Sequence, residues 1–268
     1  MHLAHLACPL FVLVVVFFYT FDLAVTRNVN EPRLHHIPKT GGTSARLKLN
    51  SLGEWNIEHT ECCFKSIPPQ RAVVSFIRRP RDQVYSQYLE CRYDIWGKSV
   101  TKNTAFPRSS SDENDFAIWL QHFEKSKYNF NCYHPYNMQT RSFLPTCLDS
   151  HSYVAMDKSL AAAAIDNMLS MTAVGITHHF KLSICVIMYI LTHQFPTECN
   201  CRQEFKTVHE THGVPVHSTE SLNASIMQYV HKNSHYDDML YQAALIKFWN
   251  QVHTIEAITQ SSLRCLYT

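Results

Sequence analysis

The run AVVSFI at 72–77 constrains the fold more than any other stretch of the sequence. A strand that is apolar at successive positions has both of its faces buried, which is typical of a parallel sheet covered by helices. Further strand patterns at 33–37, 54–59 and 173–177 alternate along the chain with helical patterns. This alternation predicts an α/β fold with a mainly parallel sheet flanked by helices, in a single domain over residues 27–268.

The helical patterns differ in how clearly their ends are marked. The last helix is expected to begin after Ser234, a favourable N-cap residue, with Asp237 and Asp238 in its first turn. Residues 98–115 are polar, and we expect a surface loop there. The predicted helices cover residues 43–52, 78–93, 115–125, 160–171, 179–195 and 236–252.

The N-terminus is strongly apolar. Its segment from Leu3 to Val25 includes the run LFVLVVVFFYTF and is long enough for a membrane-spanning helix of about 20 residues. A cleaved signal peptide is the alternative, but the segment has neither a basic n-region nor a small-x-small cleavage site. We therefore interpret residues 1–26 as a single-pass signal-anchor with the remaining chain as the domain that it carries.

The chain has ten cysteines, nine of them after the anchor. This number, and the CNC sequence that contains Cys199 and Cys201, favour a disulfide-containing luminal domain. Neither CNC nor the adjacent pair Cys62 and Cys63 has the C-x-x-C spacing of a zinc site, so no metal is expected. The single glycosylation sequon begins at Asn223 and favours a glycoprotein of the secretory route.

The stretch HIPKTGGTSARLK at 36–48 has the order of a strand, a tight turn and the start of a helix. The free N–H groups of a helix N-terminus bind anions, and here a lysine and two hydroxyl residues stand beside them. Lys39 precedes the glycines, whereas the nucleotide-triphosphate loop has its lysine after them. An anion that requires no metal therefore suits this loop better than a magnesium-bound triphosphate.

Two motifs resemble those of a known family, the Golgi carbohydrate sulfotransferases of the heparan and chondroitin type. HIPKTGGTS resembles their 5′-phosphosulfate-binding loop. FIRRPRDQVYSQY at 76–88 is similar to their second motif, in which an arginine ends a strand and a serine follows eight residues later. That motif binds a 3′-phosphate, and it maps onto Arg78 and Ser86. The resemblance extends from about residue 33 to 255.

The resemblance implies a P-loop-kinase-like domain in the Golgi lumen, behind a type II membrane anchor. These enzymes transfer sulfate from 3′-phosphoadenosine 5′-phosphosulfate (PAPS) to a sugar hydroxyl without a metal. The implied partners are the membrane and a glycan acceptor, with a glycosaminoglycan-type anion as one candidate, and no nucleic acid. The implied PAPS-binding residues are Lys39, Thr40, Gly41, Gly42, Thr43, Ser44, Arg78 and Ser86. Two positions depart from the family: Gln83 stands where a basic residue is usual, and Arg79 where an acid is common.

Transfer to a hydroxyl needs a general base close to the loop. We assign this role to His59, with Lys39 as the second catalytic residue, and leave Glu58 and Glu61 as alternatives because the phase of that strand is open. Of the two histidines before the loop, His36 is expected to be structural.

Other roles and functions stay open at this stage. Arg141 suits a structural ion pair and a cofactor or acceptor contact equally well. The alternative functions are a catalytically inactive binder of the cofactor or a glycan, and a variant kinase. The kinase would require a magnesium-binding carboxylate at the end of a core strand, where Arg78 stands.

Overall fold

Four parallel strands form the sheet of this protein in a computed structural model that describes residues 28–53, 55–61, 64, 71–145, 153–206 and 213–267. Their order across the sheet is β2-β1-β3-β4. The predicted α/β class with a parallel sheet, helices around it and a single domain is thus confirmed. The strands are β1 (Asn28–His35), β2 (Glu58–Thr60), β3 (Arg71–Ile77) and β4 (Ala173–Ile176).

Eight helices surround the sheet in the described part of the chain. Short 3₁₀ turns lie at Thr177–His179, Thr197–Cys199 and Arg264–Leu266. The helices are α1 (Gly42–Gly53), α2 (Pro80–Tyr93), α3 (Ile95–Thr101), α4 (Asp112–Lys125), α5 (Met138–Ser142), α6 (Lys158–Leu169), α7 (Phe180–Thr192) and α8 (Ala224–Thr259).

The prediction of a loop over 98–115 was wrong at both ends, because α3 and α4 enter this range. Two polar side chains that look like loop residues are N-caps. The Asp94 carboxylate accepts hydrogen bonds from the backbone N–H groups of Trp96 and Gly97, and the Ser111 hydroxyl accepts one from Asn114. Such caps satisfy backbone donors that the first helical turn leaves unpaired.

The two faces of the sheet are buried under different helices. On β3, Val74 and Phe76 belong to an apolar cluster with residues of α1 and α7. Val73 and Ile77 lie in a second cluster, with residues of α6 and α8. Alternate side chains of a strand point to opposite faces, so the continuous apolar run 72–77 is explained by a sheet that is covered on both sides.

The carboxyl ends of the four strands meet at one edge of the sheet. β1 leads there into the loop with Lys39, β3 into Arg78, β4 into Thr177, and β2 into Glu61. The chain passes from β1 to β2 on one side and then to β3 on the other. Ligands of open parallel sheets bind at such a reversal of strand order.

Helix α8 is kinked at Ser234, whose backbone angles (φ −127°, ψ 22°) are not helical. The predicted helix start at this residue was wrong, since α8 begins at Ala224 with Asn223 as its cap. Ser234 is not the cap either, since its hydroxyl donates to the Val230 carbonyl at 2.8 Å. The N–H groups of Tyr236 and Asp237, just after the kink, donate to the Asn137 side chain at 2.8 and 3.3 Å. The kink therefore creates a second helix start inside α8.

The predicted anchor, residues 1–26, lies outside the described residues. Within the ranges that the structure describes, no helix combines the length and the apolar character needed to cross a bilayer.

His35 is the core histidine, which corrects the expectation that His36 would be the structural one. Its Nε2 donates to the Ser142 carbonyl at 2.9 Å, and burial lowers the pKa of its ring to about 4. The unfolded chain, with a histidine pKa near 6.5, binds this proton more readily than the folded chain. The stability that neutral His35 provides is therefore complete above about pH 6.5 and is lost as the pH falls towards 4.

We expect His35→Gln to have a flatter stability profile than the wild type between pH 7.5 and 5. The imidazole adds a slope of up to about 1.4 kcal/mol per pH unit in this window. Urea unfolding of both proteins at pH 7.5, 6 and 5 measures the difference. Burial raises the pKa of Asp237 to about 6, so this residue contributes a slope of the opposite sign. The contribution is the same in both proteins and cancels in the difference. Parallel profiles would show that His35 is not the responsible group.

Candidate anion-binding site

A pocket of about 530 Å³ opens at the carboxyl edge of the sheet. One wall is the loop between β1 and α1, and another is the buried face of α2. Residues 214–217 complete the lining. Its lining contains most of the predicted PAPS-binding residues, namely Lys39, Gly41, Gly42, Thr43, Ser44, Arg78 and Ser86.

The loop is held in shape by its own backbone and by a neighbouring strand end. The buried Thr40 hydroxyl donates to the Ile37 carbonyl at 2.9 Å, so this predicted binding residue serves the loop and does not line the pocket. The Thr40 carbonyl in turn accepts a hydrogen bond from the Thr177 hydroxyl. Gly41 has a φ of 85°, a conformation in which a side chain is disfavoured.

Gly42 is the point at which the chain comes closest to His36. A Cβ atom at this position would lie 2.1 Å from Cδ2 of the His36 ring, so any other residue would require this ring to move. Helix α1 begins here, and the N–H groups of its first turn are not used within the helix. Thr43 and Ser44, in that turn, line the pocket. The loop and the start of α1 therefore form a cradle that suits an anion.

Lys39 has left-handed backbone angles (φ 65°), which are uncommon for a residue with a side chain. Its Nζ atom lies 3.3 Å from Oε1 of Glu90, and both side chains are largely buried. Such backbone strain is often found where a side chain is held for a function. The loop thus presents its cation inside the pocket, against a carboxylate on α2.

Arg78 connects the second motif to the loop. Its guanidinium Nη1 donates to the Lys39 carbonyl at 3.0 Å. The Gln139 side chain fixes the Arg78 backbone, accepting from its N–H at 3.0 Å and donating to its carbonyl at 2.9 Å. Burial lowers the pKa of the guanidinium, which stays a cation at neutral pH. The two motifs, 39 residues apart in the chain, therefore form one cationic site.

The positions that depart from the family pattern have structural roles in this chain. Gln83 is buried and donates from its Nε2 to the Pro38 carbonyl at 2.9 Å, so it supports the loop. Arg79 Nε is paired with the Asp82 carboxylate at 2.7 Å.

A second cavity of about 270 Å³ continues from the pocket past Arg78 and His217.

Several pocket residues that no sequence pattern indicated come from distant parts of the chain. Tyr133 lines the pocket beside Glu90, and burial together with this carboxylate raises the pKa of its phenol. The Cys91–Cys132 disulfide joins their two segments. His217 packs edge-on against the Tyr85 ring, with ring centroids 5.6 Å apart. One signal was available for Glu90, since it follows Ser86 by four residues and shares its helix face.

The three bases considered from the sequence are placed differently. His59 lies on β2, where its side chain is exposed and is not part of the pocket lining. Its ring centroid lies 5.8 Å from that of His36. Burial, Arg46 and His36 lower the pKa of His59. Glu58 points to Arg33 and Arg71, at 2.6 and 3.3 Å.

Glu61 is the one of these three that lines the pocket. Its Oε1 lies 3.1 Å from Nδ1 of His36, which also lines the pocket. Glu61 and His36 thus form a pair at the end of the pocket where β2 ends.

Arg141 has a structural role. The side chain is buried and donates from Nε to the Tyr136 carbonyl at 2.7 Å and from Nη2 to the His134 carbonyl at 2.8 Å. It therefore holds the segment before α5 in place.

The prediction of disulfides is confirmed by three bonds within the described ranges, Cys91–Cys132, Cys185–Cys199 and Cys201–Cys265. The two cysteines of CNC bond to different partners. Cys62, Cys63 and Cys147 lie outside the described residues. Within the described ranges, no group of three or more histidine, cysteine, aspartate or glutamate side chains is arranged to hold a metal ion.

Comparison of the chain with family models, with curated proteins and with solved structures finds no match.

Proposed function

We propose that this protein is a PAPS-dependent carbohydrate sulfotransferase of the Golgi membrane, with its domain in the lumen. The observation that carries the proposal is the contact between the two motifs. Arg78 donates to the Lys39 carbonyl at 3.0 Å, and both residues line one pocket at adjacent strand ends. Two anion-binding groups in a single pocket suit a ligand with two separate phosphates, as PAPS is.

The residues present fit this donor. Gly42 lets the His36 ring pack closely against the loop, and the first N–H groups of α1 would point at a 5′-phosphate. Arg78 and the buried Ser86 would hold the 3′-phosphate, and the cavity that continues past Arg78 offers further room for the nucleoside. When bound, PAPS supplies an activated sulfuryl group.

The loop residues have a direct role in such a transfer. Charge develops on the 5′-phosphate as its bond to sulfur breaks, and Lys39 with the first N–H groups of α1 is placed to stabilise it. The N–H groups are held by the backbone before any ligand binds, whereas Lys39 leaves its ion pair with Glu90 to reach the phosphate. No step of this kind needs a metal ion, and Arg78 stands where a kinase would have a magnesium-binding carboxylate.

The remaining parts of the proposal concern the acceptor and the location. The acceptor is a glycan hydroxyl, which would enter at the end of the pocket lined by Glu61 and Tyr133, away from Arg78. Three disulfides suit an oxidising compartment such as the secretory pathway. The N-terminal apolar segment would anchor the domain there.

The test is transfer of labelled sulfate from PAPS to a panel of neutral and anionic glycans by the full chain. Calorimetry with adenosine 3′,5′-bisphosphate, the desulfated donor, gives a second measurement that is independent of the acceptor. Incorporation into one acceptor class together with binding supports the proposal. Binding without transfer to any glycan would favour an inactive binder, and absence of both would overturn the proposal.

A further inference from the structure

We propose that Glu90 is the catalytic base of this transfer, and that Lys39 holds it by an ion pair until the donor binds. The inference rests on the proposed function and deepens it, since it concerns the residue that takes the proton of the acceptor hydroxyl.

The first observation is the state of the Glu90 carboxylate. It lines the pocket, and its side chain is only 10 % exposed. Oε1 lies 3.3 Å from Nζ of Lys39, Oε2 is buried, and the Tyr133 side chain hydrogen-bonds to the carboxylate. Oε1 is thus the oxygen that faces the loop cation, and it is free to accept a proton when Lys39 turns to a phosphate.

The second observation is the position of Glu90 along α2. It follows Ser86 by one helical turn, so the two residues are about 6 Å apart along the helix axis. Arg78 and Ser86 lie at the end proposed for the 3′-phosphate, and Tyr133 lies beside Glu90. Glu90 therefore stands where the loop cation and the acceptor end of the pocket meet.

The proton transfer can be written in full. Glu90 Oε1, released from Lys39, accepts the proton of the acceptor hydroxyl as the hydroxyl oxygen forms its bond to sulfur. The bond from sulfur to the bridging oxygen breaks, and its electron pair stays on the 5′-phosphate, next to Lys39. The products are the sulfate ester, adenosine 3′,5′-bisphosphate and protonated Glu90, which returns its proton to water after product release.

The three bases considered from the sequence are less well placed. The Glu61 side chain is 55 % exposed and lies close to His36, and Glu58 is between two arginines. His59 is outside the pocket lining. Glu90 is the most buried of these groups, so water competes least for its carboxylate.

The ion pair with Lys39 gives the base a second property. In the empty pocket, Glu90 neutralises the cation that a phosphate would otherwise attract. A donor phosphate in the loop competes for Lys39, and the carboxylate is released when the donor is in place. The ion pair therefore favours an order in which the donor binds before the acceptor. It also weakens donor binding, because the pair must break when the phosphate takes Lys39.

The experiment compares Glu90→Gln with variants of two rival bases, Glu61→Gln and His59→Ala, and with the control Glu204→Gln at an exposed glutamate outside the pocket lining, all in the full chain. Calorimetry measures the Kd of adenosine 3′,5′-bisphosphate, and the transfer assay measures kcat. We expect Glu90→Gln to lower kcat by about 100-fold or more, the range found for general bases. Its Kd should be unchanged or lower, because Lys39 is released. Glu90→Asp should recover part of the rate, and Glu204→Gln should keep it. Glu61→Gln and His59→Ala should each lower kcat less than Glu90→Gln does.

The outcomes separate the two proposals. If the wild type transfers sulfate and Glu90→Gln does so equally well, the base assignment fails while the function stands. If Glu90→Gln weakens bisphosphate binding as strongly as transfer, Glu90 positions the loop and is not the base. If the wild type binds the bisphosphate and transfers to no glycan, the proposed function fails and the base role with it. Thermal unfolding of each variant, and the rate of Glu90→Asp, exclude misfolding as the cause.

Discussion

Replacing Lys39 with glutamine is expected to reduce sulfate transfer by about 100- to 1000-fold, the usual effect of removing one pre-organised group that stabilises developing charge. Glutamine has a similar length and no charge, so the pocket keeps its shape. The reduction should lie mainly in kcat, because the charge on the leaving phosphate is greatest in the transition state. Steady-state kinetics with PAPS at saturating acceptor measure it. Lys98→Gln, an exposed lysine on α3, is the control and should leave kcat unchanged.

The same substitution has a consequence for stability that does not depend on the proposed function. Without Lys39, the largely buried Glu90 carboxylate loses its cation, and the free energy of unfolding should fall by about 1–3 kcal/mol. The double variant Lys39→Gln/Glu90→Gln should regain part of this loss, since no unpaired charge remains. Urea unfolding of the four proteins forms a double-mutant cycle. Strict additivity would contradict the ion pair.

Asp237→Ala is expected to lower the free energy of unfolding by about 3–4 kcal/mol, because it leaves buried donors without an acceptor. The Asp237 carboxylate is fully buried and accepts from the N–H groups of Gln139 and Thr140, at 3.2 and 2.7 Å, and from the Thr140 hydroxyl at 2.7 Å. These bonds cap α5, while Asn137 caps the second half of α8 in return. Urea unfolding at pH 7.5 measures the change.

The loss of this cap should also reach the pocket. Gln139, one of the capped residues, holds the backbone of Arg78 at both its N–H and its carbonyl. We therefore expect Asp237→Ala to weaken binding of adenosine 3′,5′-bisphosphate as well as the fold. Asp238→Ala is the matched control: its side chain is 41 % exposed and paired with His231, and such surface pairs contribute less than about 1 kcal/mol. Equal losses in the two variants would contradict the capping role of Asp237.

Local patterns in the sequence were sufficient for the sheet and for half of the pocket. The run 72–77 predicted a strand buried on both faces, and β3 is such a strand. The lysine–glycine loop predicted a turn into a helix, and α1 begins at Gly42. Because carboxyl ends of parallel strands meet at one edge, the positions of Lys39 and Arg78 after two strands already indicated a shared site.

Capping and pairing between distant segments limited the prediction elsewhere. The Ser234 hydroxyl donates to the Val230 carbonyl, and the residue that caps the helix after the kink is Asn137, about a hundred positions earlier. A kink therefore looked like a helix start. The cysteines of CNC likewise bond to Cys185 and Cys265, a choice that depends on which chain segments pack together. Neither partner is marked by spacing in the sequence.

The sequence by itself determined the features that follow local rules. They are strand β3, the loop with Lys39, the arginine after β3 and the serine two helical turns further on. Each depends on contacts within about ten residues, where backbone geometry alone decides direction. Only the tertiary structure decided which carboxylate faces Lys39, because the sheet register turns Glu58 to two arginines and helix packing brings Glu90 into the pocket. Tyr133 and residues 214–217 join the same pocket from distant parts of the chain. Contacts of this kind are selected by packing, which no short stretch of sequence specifies.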